Sequence, residues 1–218
     1  MRLLAHFSED PVLLDAFRRG EDIHSRTAQE VFDVAPFAQT AEHRRAAKVI
    51  NFGIIYGLSA FGLAQNLGIE QREGAKFIAA YFDRYRGVKS WLDRQVAETR
   101  DCGFTKTLFG RIRPIPEISS PQPNLRNFAE RTAMNTPLQG TAADLIKLAM
   151  IDIDKKLSYE GFASKMILQV HDELLFEGPE SELPKLKKLV KHEMENVREF
   201  RVPIVVETKT GLNWRDMK

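Results

Sequence analysis

The sequence contains a single cysteine, Cys102, among its 218 residues. One cysteine excludes an internal disulfide and the class of disulfide-stapled secreted domains, and Cys102 is typical of a structural residue in the cytosol. The sequence also lacks an uninterrupted apolar run of about 18 residues, the length that a membrane-spanning helix needs. It opens without a charged and then apolar leader. We therefore expect a cytoplasmic protein with no membrane partner.

The sequence also has little excess charge, with a formal net charge of +2. Such a balance argues only weakly for a nucleic-acid partner, so any basic surface has to be local. The hydrophobic content of 43% in 218 residues is enough for a real core. That core could belong to one large domain or to two subdomains that share an interface.

The most informative pattern is a two-faced helix predicted over Ala41–Leu58. One face carries two cations and then two aromatic rings at i+4 spacing, namely Arg44, Lys48, Phe52 and Tyr56. The opposite face is apolar and carries Ala47, Ile50, Ile54 and Leu58. Cations followed by rings suit a polyanion that bears an aromatic group, because the cations bind phosphates and the rings meet a base or sugar. The alternative is a solvated basic face whose aromatic end is buried in the core.

Two glycines, Gly53 and Gly57, lie inside this helical pattern. Each weakens a helix by up to about 1 kcal/mol relative to alanine. Their presence indicates either the close approach of another group or a bend that lets the helix move.

A second informative stretch predicts a β-hairpin near the C-terminal end. Two short apolar runs, Met166–Val170 and Leu174–Phe176, flank a bend of three polar residues, His171, Asp172 and Glu173. Neighbouring carboxylates at such a tip can share a divalent cation, because Mg²⁺ prefers oxygen ligands. The alternative is a solvated acidic turn without a ligand.

The rest of the chain is mostly helical in pattern. Helices are predicted over residues 9–20, Ser25–Phe32, Glu70–Tyr85, Val88–Cys102 and Glu180–Arg198, with a strand, turn and return segment over Gly103–Pro116 and a final strand over Val202–Thr208. His24 stands just ahead of the second helix, where a lone histidine is more often a hydrogen-bonded structural residue. The proline-rich segment Pro114–Pro123 is the best internal boundary. It predicts two subdomains, residues 1–120 and 121–218.

The second subdomain is predicted to begin with two helices in succession. The first covers Asn124–Met134, and Thr136 then caps a new helix with Pro137 at its first position and Gln139 three residues after the cap. Polar residues recur at i+4 across the two helices, at Arg131, Asn135 and Gln139. Gln139 is equally explained as the partner of Thr136 in a capping box.

Four separated stretches together resemble one family in its own order. They are D-I-H (Asp22–His24), R-R-A-A-K-V-I-N-F-G-I-I-Y-G (Arg44–Gly57), A-E-R-T-A-M-N-T-P-L-Q-G-T-A-A-D (Ala129–Asp144) and Q-V-H-D-E-L (Gln169–Leu174). The chain resembles the C-terminal part of a family A DNA polymerase of the bacterial DNA polymerase I type, across essentially its whole length. The resemblance implies an α+β fold. A mostly helical fingers subdomain, residues 1–120 with the start of the palm at its extreme N-terminus, would pack on a partial antiparallel palm sheet that contains the hairpin, residues 121–218.

The resemblance also implies roles for the helix predicted over Ala41–Leu58, which matches the mobile fingers helix that closes over an incoming deoxynucleoside triphosphate. Arg44 and Lys48, helped by His24, would bind the phosphates. Phe52 would pack against the sugar, where phenylalanine favours rejection of dideoxynucleotides. Tyr56 would stack near the templating position.

The other matching stretches imply contacts to primer–template DNA and to metal. Arg131, Asn135 and Gln139 would lie along its minor groove, and His171 would approach the primer end. Asp172, with Glu173 beside it, would bind the catalytic Mg²⁺, and both are expected to be catalytic together with Lys48. The implied reaction is attack of the primer 3′-hydroxyl on the α-phosphate with two Mg²⁺ ions, by a DNA-directed DNA polymerase of the nucleoid.

In the family, the segment that resembles Arg2–His6 follows D-Y-S-Q-I-E, whose aspartate is the other metal-bridging carboxylate. This sequence begins just after that position. We therefore expect the isolated chain not to extend a primer, and its sheet to expose an unpaired palm edge that promotes self-association. One alternative is a truncated binding module that grips DNA or nucleotide without chemistry. Another is a helical interaction protein in which the face of Arg44 and Lys48 is incidental.

Overall fold

The structure, a computed structural model, describes residues 1–217 and divides into two compact units. The first unit is Met1–Thr141, and the second comprises the described residues from Ala142 onward. This division lies C-terminal to the proline-rich segment. It reports compactness only, so the fingers and palm boundary at residues 120 and 121 stays a prediction.

The first unit is built mainly from helices. They are α1 (Arg2–Ser8), α2 (Pro11–Arg18), α3 (Ile23–Phe32), α4 (Ala41–Ile55), α5 (Ala60–Leu67), α6 (Gln71–Arg84), α7 (Arg86–Cys102) and the first part of α8 (Pro123–Tyr159). Aromatic rings pack at its core. The ring of Phe7 stacks on that of Trp91 at 5.5 Å between centroids, and the buried rings of Tyr81 and Tyr85 are 4.6 Å apart.

Helices α2, α3 and α4 begin at side-chain caps that the sequence supplies. The Asp10 carboxylate accepts hydrogen bonds from the backbone N–H groups of Val12 and Leu13 at the start of α2, and the Asp22 carboxylate accepts from Ser25 in α3. Thr40 and His43 form a reciprocal capping box at the start of α4. Such side-chain oxygens satisfy backbone donors that have no partner within the helix. Because α3 begins at Ile23, His24 lies in its first turn and not ahead of it as the pattern predicted.

Two helices of the first unit were not predicted. Both α1 and α5 are short, with seven and eight residues. The signals for α5 are present in the sequence, because the Ser59 hydroxyl caps the Gly62 N–H and Gly68 ends the helix with φ 68°. So short a segment gives too few repeats for helical periodicity to be recognised.

The strand, turn and return segment predicted over Gly103–Pro116 is confirmed. Strands β1 (Phe104–Lys106) and β2 (Ile112–Pro114) pair antiparallel, with Thr105 opposite Arg113.

Helix α8 is continuous through Pro137, so the prediction of two helices with a new cap at Thr136 is wrong. Proline removes the N–H that would bond the carbonyl of residue i−4, which costs about 3 kcal/mol in a helix interior. Tertiary packing offsets this cost, because Ala129 and Ala133 lie in a buried cluster with Ile115 and Ile118. The Thr136 hydroxyl lies 3.3 Å from Nη1 of Arg113, from which it accepts a hydrogen bond.

The second unit combines the rest of α8 with a hairpin and one more helix. Its elements are β3 (Lys165–Val170), β4 (Glu173–Glu177) and α9 (Leu183–Glu195). Residues of α8 and α9 form its core, and one side of the hairpin packs against them through Met166, Leu174 and Phe176. With two small antiparallel sheets among many helices, the α+β class is confirmed.

The strand predicted over Val202–Thr208 is wrong, because this segment has no regular secondary structure. A strand requires a hydrogen-bonded neighbour. Among residues 1–217, β3 and β4 pair only with each other. The helix predicted over Glu180–Arg198 is shorter in the structure, where α9 begins at Leu183 and ends at Glu195. Oε1 of Glu195 accepts a hydrogen bond from the Val206 N–H at 2.9 Å.

Within the described residues, no helix is both long enough and apolar enough to cross a lipid bilayer.

Candidate functional site

Helix α4 presents the face on which the functional prediction rests. Arg44, Lys48 and Phe52 lie on this helix with exposed side chains, and 38% of Phe52 is accessible. The apolar side, with Ala47, Ile50 and Ile54, is buried as the pattern predicted. The helix is shorter than predicted and ends at Ile55, so exposed Tyr56 is its C-cap residue. The stripe of two cations and a ring is therefore accessible, with the second ring at the end of the helix.

A Schellman motif ends α4 and accounts for both glycines. Gly57 adopts the left-handed conformation with φ 64°, and the Leu58 N–H donates to the Gly53 carbonyl at 2.8 Å. The Leu58 side chain folds back over Gly53, where an added Cβ would lie 2.8 Å from Leu58 Cδ2. The close approach predicted from these glycines is thus made by the chain itself.

The end of α4 also contacts α8. A Cβ on Gly57 would lie 2.6 Å from Cγ of Arg131 and 3.0 Å from Cε of Met134. The absence of a side chain at Gly57 therefore allows Arg131 to pack against the residue that follows Tyr56. The structure thereby brings together two stretches that the sequence predicted to be functional.

Arg44 is held by Asp22 at the start of α3. Its Nη2 and Nε donate to Oδ2 of Asp22 at 2.6 and 3.2 Å. Partial burial raises the pKa of the Asp22 carboxyl, but hydrogen bonds from Arg44 and from the Ser25 N–H outweigh burial and lower the pKa below its ordinary value. Lys48 differs, because no carboxylate among residues 1–217 lies within ion-pair distance of its ammonium group. One cation is thus already paired, and the other is available to an anion.

His24 lies beside the same face, half-buried. Its ring centroid is 5.8 Å from that of Phe52, and its Nδ1 is 3.1 Å from Nδ2 of Asn51. Burial lowers the pKa of His24, and the charges of Arg44 and Lys48 lower it further against the opposing effect of Asp22. Its imidazole is therefore neutral at pH 7. The structural interpretation of His24 as a hydrogen-bonded residue is correct, and its position also places it at the candidate site.

Sequence reasoning missed Asn51, which connects α4 to α3. Asn51 is fully buried on the core side of α4 and hydrogen-bonds Thr27, whose hydroxyl lies 3.2 Å from the Tyr85 hydroxyl. The only signal in the sequence was a polar residue among the apolar positions of a two-faced helix. That signal alone does not name its partners.

Helix α8 carries the predicted polar stripe. Because the helix is continuous, Arg131, Asn135 and Gln139 lie at i+4 spacing on one face. The capping role considered for Gln139 is excluded, since no helix begins at Thr136. Among the described residues, the buried Oδ1 of Asn135 has no hydrogen-bond partner.

The hairpin tip in the second unit is tighter than predicted. Val170 pairs with Glu173, so only His171 and Asp172 form the turn. Glu173 is the first residue of β4 and not part of the bend, which corrects the three-residue bend of the prediction. His171 has φ 53°, the positive φ that the favoured two-residue hairpin turns have at their first position, and its carbonyl accepts a hydrogen bond from Nε2 of Gln169 at 2.7 Å.

The tip carries two carboxylates whose chemistry would suit Mg²⁺. Asp172 and Glu173 are exposed and offer the carboxylate oxygens that Mg²⁺ prefers. Within residues 1–217, however, no three acidic, histidine or cysteine side chains cluster in a way that could hold a metal ion. The described residues therefore fit the donor chemistry of Mg²⁺ but do not complete a centre for two ions.

Comparison with known proteins identifies the family to which the chain belongs. The model of DNA polymerase family A matches residues 1–216. The chain belongs to DNA polymerase family A. Among relatives of this family A chain, DNA polymerase I of Caldicellulosiruptor bescii is 53% identical over 218 residues, and that of Streptococcus pneumoniae is 48% identical over 219 residues. Both alignments cover 100% of the chain but only 26% and 25% of the relatives.

A solved structure shares the fold of the family A chain. The POL domain of Pol1 from M. smegmatis, in complex with DNA primer-template and dNTP, superposes with a TM-score of 0.95 at 44% identity. The match covers 99% of this chain and 38% of that one. The chain thus corresponds to a part of a longer polymerase domain in its relatives.

Proposed function

We propose that this chain forms the fingers and part of the palm of a DNA-directed DNA polymerase. We further propose that the surface formed by His24 of α3 and by Arg44, Lys48 and Phe52 of α4, here called the α3–α4 face, binds the incoming deoxynucleoside triphosphate. One observation carries the proposal. Within a single compact unit, two cations, a neutral histidine and an accessible phenyl ring lie along one face. A triphosphate needs the cations, and a sugar or base needs the ring.

Each residue of this face has a distinct proposed part. Arg44 and Lys48 bind phosphate oxygens, His24 donates a further hydrogen bond, and Phe52 packs against the sugar. Tyr56, at the C-cap, stacks near the templating position. Arg44 exchanges Asp22 for phosphate on binding, whereas Lys48 has no carboxylate partner to exchange within the described part of the chain.

The proposed DNA contacts lie on α8 and at the hairpin tip. Arg131, Asn135 and Gln139 follow the minor groove of primer and template. His171 approaches the primer end. Support comes from the M. smegmatis relative, which was solved with primer-template and dNTP. Chromosomal DNA as substrate implies a cytoplasmic, nucleoid-associated place of action.

In the complete protein, Asp172 and Glu173 contribute ligands to two Mg²⁺ ions, which stabilise the attacking and leaving oxygens of nucleotidyl transfer. The described residues do not complete that centre. We therefore expect the 218-residue chain alone to be inactive in primer extension. Template-dependent incorporation by the purified chain with excess Mg²⁺ would contradict this expectation.

The nucleotide site is tested by Lys48→Ala, measured as dATP affinity by isothermal titration calorimetry on the full chain. Among residues 1–217 Lys48 forms no ion pair that the variant would lose, so the variant reports the phosphate contact. We expect affinity to fall about tenfold or more, as for a charge-assisted hydrogen bond. Arg45→Ala is the matched control, because exposed Arg45 lies on the same helix but pairs with Glu42. Equal affinities for Lys48→Ala and the wild type would refute the site.

A non-catalytic module that only binds DNA or nucleotide is the second candidate, favoured by the incomplete set of metal ligands. The gene separates the two. A reading frame that continues upstream of Met1 into D-Y-S-Q-I-E supports the polymerase. Stop codons directly upstream of Met1 support the module.

A further inference from the structure

The buried amide of Asn51 contacts the ring of His24 on the side away from solvent. We propose that Asn51 is a positioning residue that fixes the tautomer of His24, so that Nε2 carries the proton and donates a hydrogen bond to a phosphate oxygen of the nucleotide. The inference rests on the proposed function of the α3–α4 face. It assigns a role to a residue that does not itself touch the nucleotide.

The geometry is that of a closed hydrogen-bond chain. Asn51 has no accessible surface, and its Nδ2 lies 3.0 Å from Oγ1 of Thr27 and 3.1 Å from Nδ1 of His24. Oδ1 of Asn51 lies 3.2 Å from the same Thr27 hydroxyl, which also lies 3.2 Å from the hydroxyl of Tyr85. Thr27 and Tyr85 are fully buried as well. Asn51, Thr27 and Tyr85 are thus held in the core, and half-buried His24 is bonded to Asn51.

The direction of the hydrogen bond determines the tautomer. An amide NH₂ group only donates, so Nδ1 of His24 has to accept. A neutral imidazole carries one proton, which then resides on Nε2. Phosphate oxygens only accept hydrogen bonds, so the protonated Nε2 of His24 is a matching donor. Partners of the second nitrogen orient metal-bound histidines in the same way.

The opposite orientation of the amide would remove this match. With Oδ1 turned toward His24, Nδ1 would carry the proton, and the lone pair of Nε2 would face the phosphates. The two arrangements therefore predict opposite protonation of two identifiable nitrogen atoms.

Burial of His24 favours the neutral ring, as hydrogen-bond donation from Nε2 of a neutral imidazole requires. Burial lowers the pKa of His24 first, Asp22 opposes this effect, and the facing cations Arg44 and Lys48 lower the pKa further. Donation to phosphate consequently does not depend on protonating the ring. It depends on which nitrogen of the neutral ring carries the proton.

The first experiment reads the tautomer directly in the full chain. Long-range ¹H–¹⁵N correlation spectra at pH 7.5 distinguish protonated from bare ring nitrogens, and the signals of His24 are assigned by their loss in His24→Gln. We expect Nε2 protonated and Nδ1 bare in the wild type. In Asn51→Asp the carboxylate only accepts, so Nδ1 should become protonated. A protonated Nδ1 in the wild type, or no change in Asn51→Asp, would overturn the inference.

The second experiment measures dATP affinity in Asn51→Leu, which removes the donor at similar volume. We expect about tenfold weaker binding, the size of one hydrogen bond to a charged group, and no further loss when His24→Gln is added. Thr99→Val is the matched control, because Thr99 is equally buried and hydrogen-bonds the Gln95 carbonyl within α7. It should leave both affinity and tautomer unchanged.

The two experiments separate the two ideas. A wild-type chain that binds dATP with Nδ1 protonated refutes the role of Asn51 alone. A wild-type chain with Nε2 protonated that does not bind dATP refutes the nucleotide site, and with it the donation to phosphate. Undiminished binding by Asn51→Leu also refutes the positioning role.

Discussion

Single residues at the α3–α4 face combine a structural role with a proposed functional role. His24 is hydrogen-bonded to a buried amide, as a structural histidine would be, and its ring still borders accessible Phe52. Arg44 is half of an ion pair with Asp22, whereas Lys48 is not paired with a carboxylate among residues 1–217. The distinction matters because an unpaired cation binds an incoming anion without first breaking a contact. Lys48 is therefore the residue whose removal reports most directly on nucleotide binding.

Gly57 is the residue whose replacement should cost most at this site. Its φ of 64° disfavours any side chain, and an added Cβ would lie 2.6 Å from Cγ of Arg131. Because Cγ is close to the Arg131 backbone, it moves aside less easily than the end of the side chain. We expect Gly57→Ala to lower the free energy of unfolding by at least about 2 kcal/mol, from left-handed strain plus the clash. Equilibrium unfolding in urea measures the change.

Gly68 provides the matched control for that prediction. It has nearly the same φ, 68°, but an added Cβ would have no atom within 4 Å. Gly68→Ala should therefore cost only the conformational strain, about 1 kcal/mol. If the two variants lose equal stability, the contact between Gly57 and Arg131 contributes nothing.

Elements with local signals could be predicted from the sequence. Helix α4 followed from its periodicity, α2 from Asp10 and Pro11, and the hairpin from two apolar runs around a polar bend. These signals involve residues within a few positions of one another, so no tertiary contact is needed to interpret them. The cations and the ring of the candidate site were found in the same way.

Elements that depend on distant contacts could not be predicted. Pro137 indicated a helix boundary, but burial of Ala129 and Ala133 against Ile115 and Ile118 keeps α8 continuous. The segment Val202–Thr208 has a strand-like composition but no strand partner among the described residues. Asn51 was missed for the same reason, because its partners Thr27 and His24 lie on another helix.

The molecule as a whole has its proposed nucleotide face in the first unit and its proposed metal ligands in the second. The proposed polymerase function requires both to bind one nucleoside triphosphate, and this convergence stays a prediction. The relatives are longer, since the chain covers 25% of the S. pneumoniae enzyme. In the chain alone, β3 and β4 form a two-stranded sheet whose outer edges carry no further strand among residues 1–217. Such edges bind other strands.

Self-association through this edge is the expected behaviour of the isolated chain, measured by light scattering after size-exclusion chromatography. Ile167 lies on β3 with 51% of its surface exposed. Ile167→Lys should restore a monomer, because a charged side chain on an edge strand opposes strand addition. Ile151→Lys is the control, since Ile151 is 50% exposed in the same unit but lies on α8, where the backbone is already hydrogen-bonded. If Ile151→Lys restores the monomer equally well, general hydrophobicity and not the sheet edge drives association. A monodisperse wild-type monomer would show that the edge of the β3–β4 sheet does not drive self-association.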